Sequence, residues 1–430
     1  MARETSDFNK AKERAGGAAD LNLTPSANRI HIGFFGRRNA GKSSVVNAVT
    51  GQSISIVSNV KGTTTDPVTK AMELLPLGPV LIIDTPGIDD SGSVGAERVK
   101  RANRILTRTD VAVLVVDNFI GLSDDDRMLI DRFRERNIPF IVALNKVDLA
   151  MESLSAGGSG AGASGADDLR YKNPDIPFVL VSALTGQGIN ELKEKIAEIA
   201  KPRSEERKLI RDLIPSGSIV VLVTPIDESA PKGRIILPQV QTIRDLLDGH
   251  AITVVCQPDE LPGALAALRE KPAAVITDSQ VFGKVSRMVP EDIPLTSFSI
   301  LFARFKGILD TAAEGAFALS EIKDGDRILI SEGCTHHRQC EDIGTVKLPG
   351  WIREFTGAEP EFSFTSGGEF PEDLSGYRLV VHCGGCMLNE REVMYRMERA
   401  LIAGVPFTNY GTLIAHMNGI LRRCLEIFDI

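Results

Sequence analysis

The stretch Gly36-Arg37-Arg38-Asn39-Ala40-Gly41-Lys42-Ser43 has the spacing GxxxxGK[ST], and it dictates the local fold around it. A loop of this kind works between a buried strand and a helix. Arg29-Ile30-His31-Ile32-Gly33-Phe34-Phe35 supplies the strand, and Val45-Val46-Asn47-Ala48-Val49 the helical run. The glycines permit backbone angles that turn successive N–H groups onto phosphate oxygens, and the helix adds its positive N-terminal dipole. Lys42 brings a charge to the β and γ phosphates, and Ser43 a hydroxyl to Mg2+, with Ser44 beside it.

Further motifs follow in order. The apolar strand Val80-Leu81-Ile82-Ile83 runs into Asp84-Thr85-Pro86-Gly87. Asp84 acts there through the water shell of Mg2+, and Gly87 presents an N–H near the γ-phosphate. Asn145-Lys146-Val147-Asp148 follows the strand Phe140-Ile141-Val142-Ala143-Leu144. The Asp148 carboxylate accepts the two hydrogen bonds that a guanine edge donates, which selects GTP over ATP. Ser182-Ala183-Leu184, after Phe178-Val179-Leu180-Val181, backs the base. Lys42, Asp84 and Gly87 are therefore the expected hydrolytic residues. Gly36, Asn39, Gly41, Lys42, Ser43, Ser44, Asn145, Lys146, Asp148, Ser182 and Ala183 are the expected nucleotide contacts.

Between these motifs, Lys61-Gly62-Thr63-Thr64-Thr65-Asp66 resembles the switch I GTTxD of the Era and TrmE branch of GTPases. The resemblance implies Thr64 as a Mg2+ ligand, with Thr63 and Thr65 as neighbouring alternatives. Ile88 follows Gly87 where Ras-like proteins carry a water-orienting Gln, so no side chain there positions the attacking water. Asn39 matches the Asn with which TrmE-like GTPases hold K+. A cation fixed beside the phosphates stabilises developing charge as an arginine finger does, so K+-stimulated hydrolysis with a low basal rate is expected. A plain loop role is the alternative for Asn39.

The fold class expected is α/β, in three domains, each a mostly parallel sheet flanked by helices. At 430 residues the chain exceeds one ordinary core. Residues 1–28 are polar and aperiodic and read as a mobile leader; residues 29–203 form the GTP-binding domain. Within it, the Gly/Ser/Ala-rich tract 153–168 reads as a flexible insertion. Residues 204–282 alternate strand and helix without catalytic pairs, which suits a scaffold or interface; residues 283–430 continue the alternation. In the helix after His382, Val393, Met397, Ala400 and Leu401 are expected inward, with Glu392, Arg396 and Arg399 facing out. The net charge of −8 gives no footprint for a nucleic-acid backbone, and the chain shows neither an apolar leader nor a spanning apolar run. A cytoplasmic location is expected, where free thiols are ligands or core residues rather than disulfides.

Cys334-Thr335-His336 lies in the loop after the strand Arg327-Ile328-Leu329-Ile330, and His382-Cys383-Gly384-Gly385-Cys386 ends the strand from Leu379. Both halves sit at carboxyl ends of strands, where open α/β sheets bind ligands. The glycines let N–H groups turn toward the sulfurs of the CxxC pair, and Cys334 brings a third thiolate. Two metals fit. Zinc takes four ligands, and Cys334, Cys383, Cys386 and either His336 or His382 supply them. A four-iron, four-sulfur cluster takes three thiolates and leaves one iron for a weaker ligand. Glu341, His336 and His382 are candidates for that fourth position, and Cys340 is close by.

This combination resembles the HydF family of [FeFe]-hydrogenase maturation GTPases: a G domain of the Era/TrmE branch, a middle α/β domain, then CxH and HCxxC separated by forty-five residues. The resemblance implies that Cys334, Cys383 and Cys386 ligate a four-iron cluster whose fourth iron takes an exchangeable ligand. It implies a two-iron cargo received with the help of the maturases HydE and HydG and delivered to the hydrogenase apoprotein. It also implies a homodimer formed through residues 204–282. Two other classes compete. An RNA-modification or ribosome-assembly GTPase would be supported by a KH-type GxxG loop or a basic Lys/Arg surface, and the sequence offers neither signal. A GTP-controlled zinc protein differs from HydF only in its metal.

Overall fold

The computed structural model describes residues 24–51, 68–85, 104–149, 173–200, 208–226, 235–333 and 343–429. The insertion 153–168 and most of the leader lie outside them. The first sheet contains β1 (Ile30–Gly36), β2 (Val68–Leu74), β3 (Gly78–Asp84), β4 (Val111–Asp117), β5 (Phe140–Asn145) and β6 (Phe178–Leu180) in the order β2-β3-β1-β4-β5-β6. All neighbours are parallel except β2 and β3. Strands β1 and β4 are buried almost throughout, because helices cover both faces of the sheet. Helices α1 (Lys42–Thr50) and α3 (Ile189–Ala200) pack with Phe34 on one face. Helix α2 (Asp124–Glu135) packs with Phe35 on the other. Each such apolar side chain contributes about 1.5–3 kcal/mol on burial.

The second and third sheets share one topology. β7 (Ile219–Val223), β8 (Ile252–Cys256), β9 (Ala274–Thr277) and β10 (Leu295–Ser297) lie in the order β8-β7-β9-β10. β11 (Arg327–Ser331), β12 (Glu361–Thr365), β13 (Leu379–His382) and β14 (Phe407–Asn409) lie in the order β12-β11-β13-β14. All pairs are parallel. Strand order therefore reverses between β11 and β13, which makes the gap at their carboxyl ends the switch point where ligands bind.

Beyond the boundary expected at residue 282, β10 pairs with β9 of the middle sheet. The chain after β10 forms two helices, Phe298–Phe305 and Leu309–Ala316, broken at Gly307, whose φ of 71° is left-handed. One apolar cluster runs from Val221, Val275 and Leu295 into Ile328, Val380 and Phe407, so the last two sheets share a core. Among the described residues, no helix is long and apolar enough to cross a membrane.

Candidate functional site

Two sites lie at opposite ends of the chain. In the first, β1 ends at Gly36 with φ 144°, and the loop continues through Asn39 at φ 64° and Gly41 at φ 85° into the first turn of α1. A Cβ on Gly41 would stand 2.3 Å from Asn145 Nδ2, so only glycine fits that close approach. Asn145 ties the site together: its Nδ2 donates to the Ala40 carbonyl at 3.0 Å, and its Oδ1 accepts from the Ala183 N–H at 3.1 Å. Lys146 donates to Asp117 at 2.7 Å, and the buried Lys42 pairs with Asp84 at the end of β3. Ser182 is fully buried, Asp148 is half-buried, and Asn39, Ser43 and Ser44 are exposed. Thus the phosphate loop, the Asp84 strand end and the base-recognition segments converge on one edge of the sheet. Thr64 and Gly87 lie outside the described residues.

The second site is at the switch point. Ser331 and His382 are register partners on β11 and β13, so the chain leaves both strands side by side. Gly333 N–H donates to Cys383 Sγ at 3.1 Å, and Gly385 N–H points at the same sulfur at 3.4 Å. Cys334, the next residue after Gly333, lies outside the described residues, as do His336, Cys340 and Glu341. Burial pushes the Cys383 thiol up, against the two N–H groups and the Arg396 charge, which pull it down. Lys306, close enough to Cys386 for their charges to interact, has a buried ammonium that donates to the Leu388 carbonyl at 2.6 Å. Burial lowers Lys306 to about 8, while Cys386, Glu390, Asp110 and Glu392 act to raise it. N–H donors and buried cations around two half-buried sulfurs suit thiolates bound to an electron-rich inorganic core.

His382, a candidate fourth ligand, is held by hydrogen bonds on both ring nitrogens. Arg396 only donates, so at 3.2 Å from His382 Nε2 it makes that nitrogen an acceptor. His382 Nδ1 then carries the proton and donates to the Cys383 carbonyl at 2.7 Å. Both nitrogens are engaged, and burial, then Arg396, lowers the imidazole to about 3. Both nitrogens of His382, one of the three candidate fourth ligands, thus have partners within the protein. Cys424 is pushed up to about 12 by burial in the shared core and stands apart from the site.

Sequence reasoning missed Lys306 and Arg396. It also placed Glu392 and Arg396 on a solvated face, whereas they are 4% and 1% exposed. The helix that carries them, Glu390–Ile402, turns Arg391 and Glu392 to the first domain rather than to water, while Arg396 bonds within the last domain.

Comparison with known proteins separates the chain into three matched regions. Residues 31–146 match the family model described as 50S ribosome-binding GTPase. Residues 209–307 match the hydrogen maturase F dimerization domain, and residues 310–427 the hydrogen maturase F tetramerization domain. The chain belongs to the hydrogen maturase F (HydF) family. Its HydF dimerization region ends after β10, in agreement with the sheet boundary.

Curated relatives resemble part of this HydF-family chain. GTPase Der of Thermomicrobium roseum is 35% identical over 202 residues, 44% of this chain and 44% of that protein. The tRNA modification GTPase MnmE of Moorella thermoacetica is 33% identical over 174 residues, 40% of this chain and 35% of that protein. The chain thus spans less than half the length of these relatives. Among solved structures, the cytosolic domain of the T. maritima FeoB iron transporter is 26% identical, covering 41% of this chain and 65% of that one at a TM-score of 0.31.

Proposed function

We propose that this chain hydrolyses GTP and serves as an iron–sulfur scaffold that assembles or delivers the two-iron precursor of [FeFe]-hydrogenase. The observation that carries the reading is the Gly333 N–H on Cys383 Sγ at a topological switch point, within domains of the HydF family. Cys334, Cys383 and Cys386 hold the four-iron cluster in this reading. When bound, the cluster supplies an iron with an exchangeable position at which the two-iron cargo docks. The protein's own groups prepare that place. Gly333 and Gly385 direct N–H groups at one sulfur, Lys306 sets a cation against Cys386, and Arg396 fixes the His382 tautomer beside Cys383. With His382 engaged, Glu341 and His336 remain as candidates for the fourth position.

In the GTPase domain, Lys42 neutralises charge on the phosphates, Ser43 and Thr64 bind Mg2+, and Asp84 acts through its water shell. Asp148 reads guanine. Asn39, exposed at the phosphate loop, holds K+ in this account. HydE, HydG and the hydrogenase apoprotein are the partners, the protein acts in the cytoplasm, and its middle domain joins two copies. Lys42→Ala tests the coupling: it should load iron normally yet fail to yield active hydrogenase with HydE and HydG present. Full maturation by that variant would refute the role given to GTP.

A further inference from the structure

The N-terminal half of the helix Glu390–Ile402 is where the first domain meets the last. Asn389 caps this helix by accepting from the Glu392 N–H at 3.1 Å, and its Nδ2 donates to the Arg108 carbonyl at 2.8 Å. Arg391 donates to the carbonyls of Arg136 and Asn137 at 2.9 and 3.0 Å, and the Arg136 guanidinium lies 5.5 Å above the Tyr395 ring. A Cβ on Gly368 would stand 1.8 Å from the Arg108 guanidinium, so glycine there is what admits Arg108.

Glu392 is the junction. Its Oε2 lies 3.0 Å from Arg108 Nε in the first domain, and its Oε1 accepts from Arg396 at 2.7 Å in the last. Arg396, 1% exposed, also donates to Ser331 Oγ at 3.1 Å, to the Gly367 carbonyl at 2.5 Å and to His382 Nε2 at 3.2 Å. His382 continues to the Cys383 carbonyl at 2.7 Å. Each link is a charged or buried polar contact. Such contacts are costly to leave half-made, so a change at one end is felt at the next. Residues 104–108 are helical and stand, in the sequence, after the segment that begins at Asp84-Thr85-Pro86-Gly87.

We propose that Glu392 is an interdomain positioning residue: through Arg396 and His382 it makes the conformation of the Cys383 segment depend on the docking of Arg108. The inference rests on the reading of Cys383 as a cluster ligand for its purpose, though not for its geometry. By linkage, a nucleotide that alters this docking alters the cysteine segment, and a group bound at the cysteines alters nucleotide affinity by the same factor.

The test uses the full-length, cluster-free protein and follows alkylation of individual cysteines by N-ethylmaleimide with peptide mass spectrometry. Arg108→Ala, a change in the other domain, and the isosteric Glu392→Gln should each raise the Cys383 alkylation rate on the order of 5-fold or more. Cys256 in the middle domain is the internal control and should keep its rate. Unchanged Cys383 reactivity in both variants, with Cys256 reactivity and melting temperature as in the wild type, would overturn the proposal. Iron loading of the same preparations separates the two claims. Altered Cys383 reactivity in a protein that binds no iron keeps the relay and rejects the cluster reading. Normal iron loading with unchanged reactivity does the reverse.

Discussion

The backbone N–H of Gly333 donates to the sulfur of Cys383 at 3.1 Å. The residue before one candidate ligand therefore touches the sulfur of another, across fifty positions of sequence. A Cβ at Gly333 would stand 2.7 Å from Leu388 Cγ, inside the loop that carries both cysteines of the CxxC pair. Gly333→Ala should therefore cost about 1–3 kcal/mol by overpacking and lower iron retention after reconstitution. Thermal melting and iron assay check both, and wild-type values in both would count against a shared loop geometry.

At the phosphate loop, Gly41→Ala meets two obstacles: φ is 85°, and the new Cβ would collide with Asn145 Nδ2. The left-handed conformation alone costs about 1–2 kcal/mol in a non-glycine residue. Displacing Asn145 also disturbs its bond to Ala183, so nucleotide affinity should fall along with stability. Equilibrium binding of a fluorescent GDP analogue measures this, and undiminished affinity would contradict the role given to Asn145.

Asn39 is exposed, and its φ of 64° is a conformation that Asn tolerates well. Hydrolysis in K+ should exceed that in Na+ by on the order of 10-fold or more, and Asn39→Ala should lose the difference. Equal rates in the two salts would leave Asn39 as a loop residue chosen for its backbone.

The Asp212–Arg304 pair locks the start of the middle domain onto the helix after β10, with contacts of 3.0 and 2.6 Å. Partial burial works to raise the Asp212 carboxyl, but the Arg304 hydrogen bonds and charge outweigh it and hold it below the ordinary 3.8. A depressed carboxylate stabilises the folded state above its unfolded value, and that contribution disappears as the pH falls through the folded one. Asp212→Asn should cost about 1 kcal/mol near neutral pH, discounted for the pair's exposure, and progressively less as the pH falls through the lowered carboxyl pKa. Melting curves of both proteins across that range give the comparison, and a pH-independent difference would speak against the ion pair.

The nucleotide cradle was legible because each of its motifs is contiguous, so residue types and spacing carry the geometry. The approach of Gly333 to Cys383 was legible too, since both follow strands whose carboxyl ends point the same way in a parallel sheet. The polar face of the helix Glu390–Ile402 was misread because an amphipathic pattern distinguishes polar from apolar and not water from a neighbouring domain. Glu392 and Arg396 are polar and buried because they satisfy each other and Arg108. Lys306 escaped notice for the same reason: nothing local to it in sequence announces Leu388 or Cys386. The strand β10, only three residues long and followed directly by a helix, has too little pattern of its own to announce it.

The most direct test of the account is metal analysis of the chain purified and reconstituted without oxygen, with its absorption spectrum. The account predicts about four iron and four sulfide per chain, with broad visible absorption. Each of Cys334→Ser, Cys383→Ser and Cys386→Ser should lose that content, while Cys256→Ser and Cys424→Ser retain it. Zinc in place of iron, or full iron content in all three of the first variants, would contradict it.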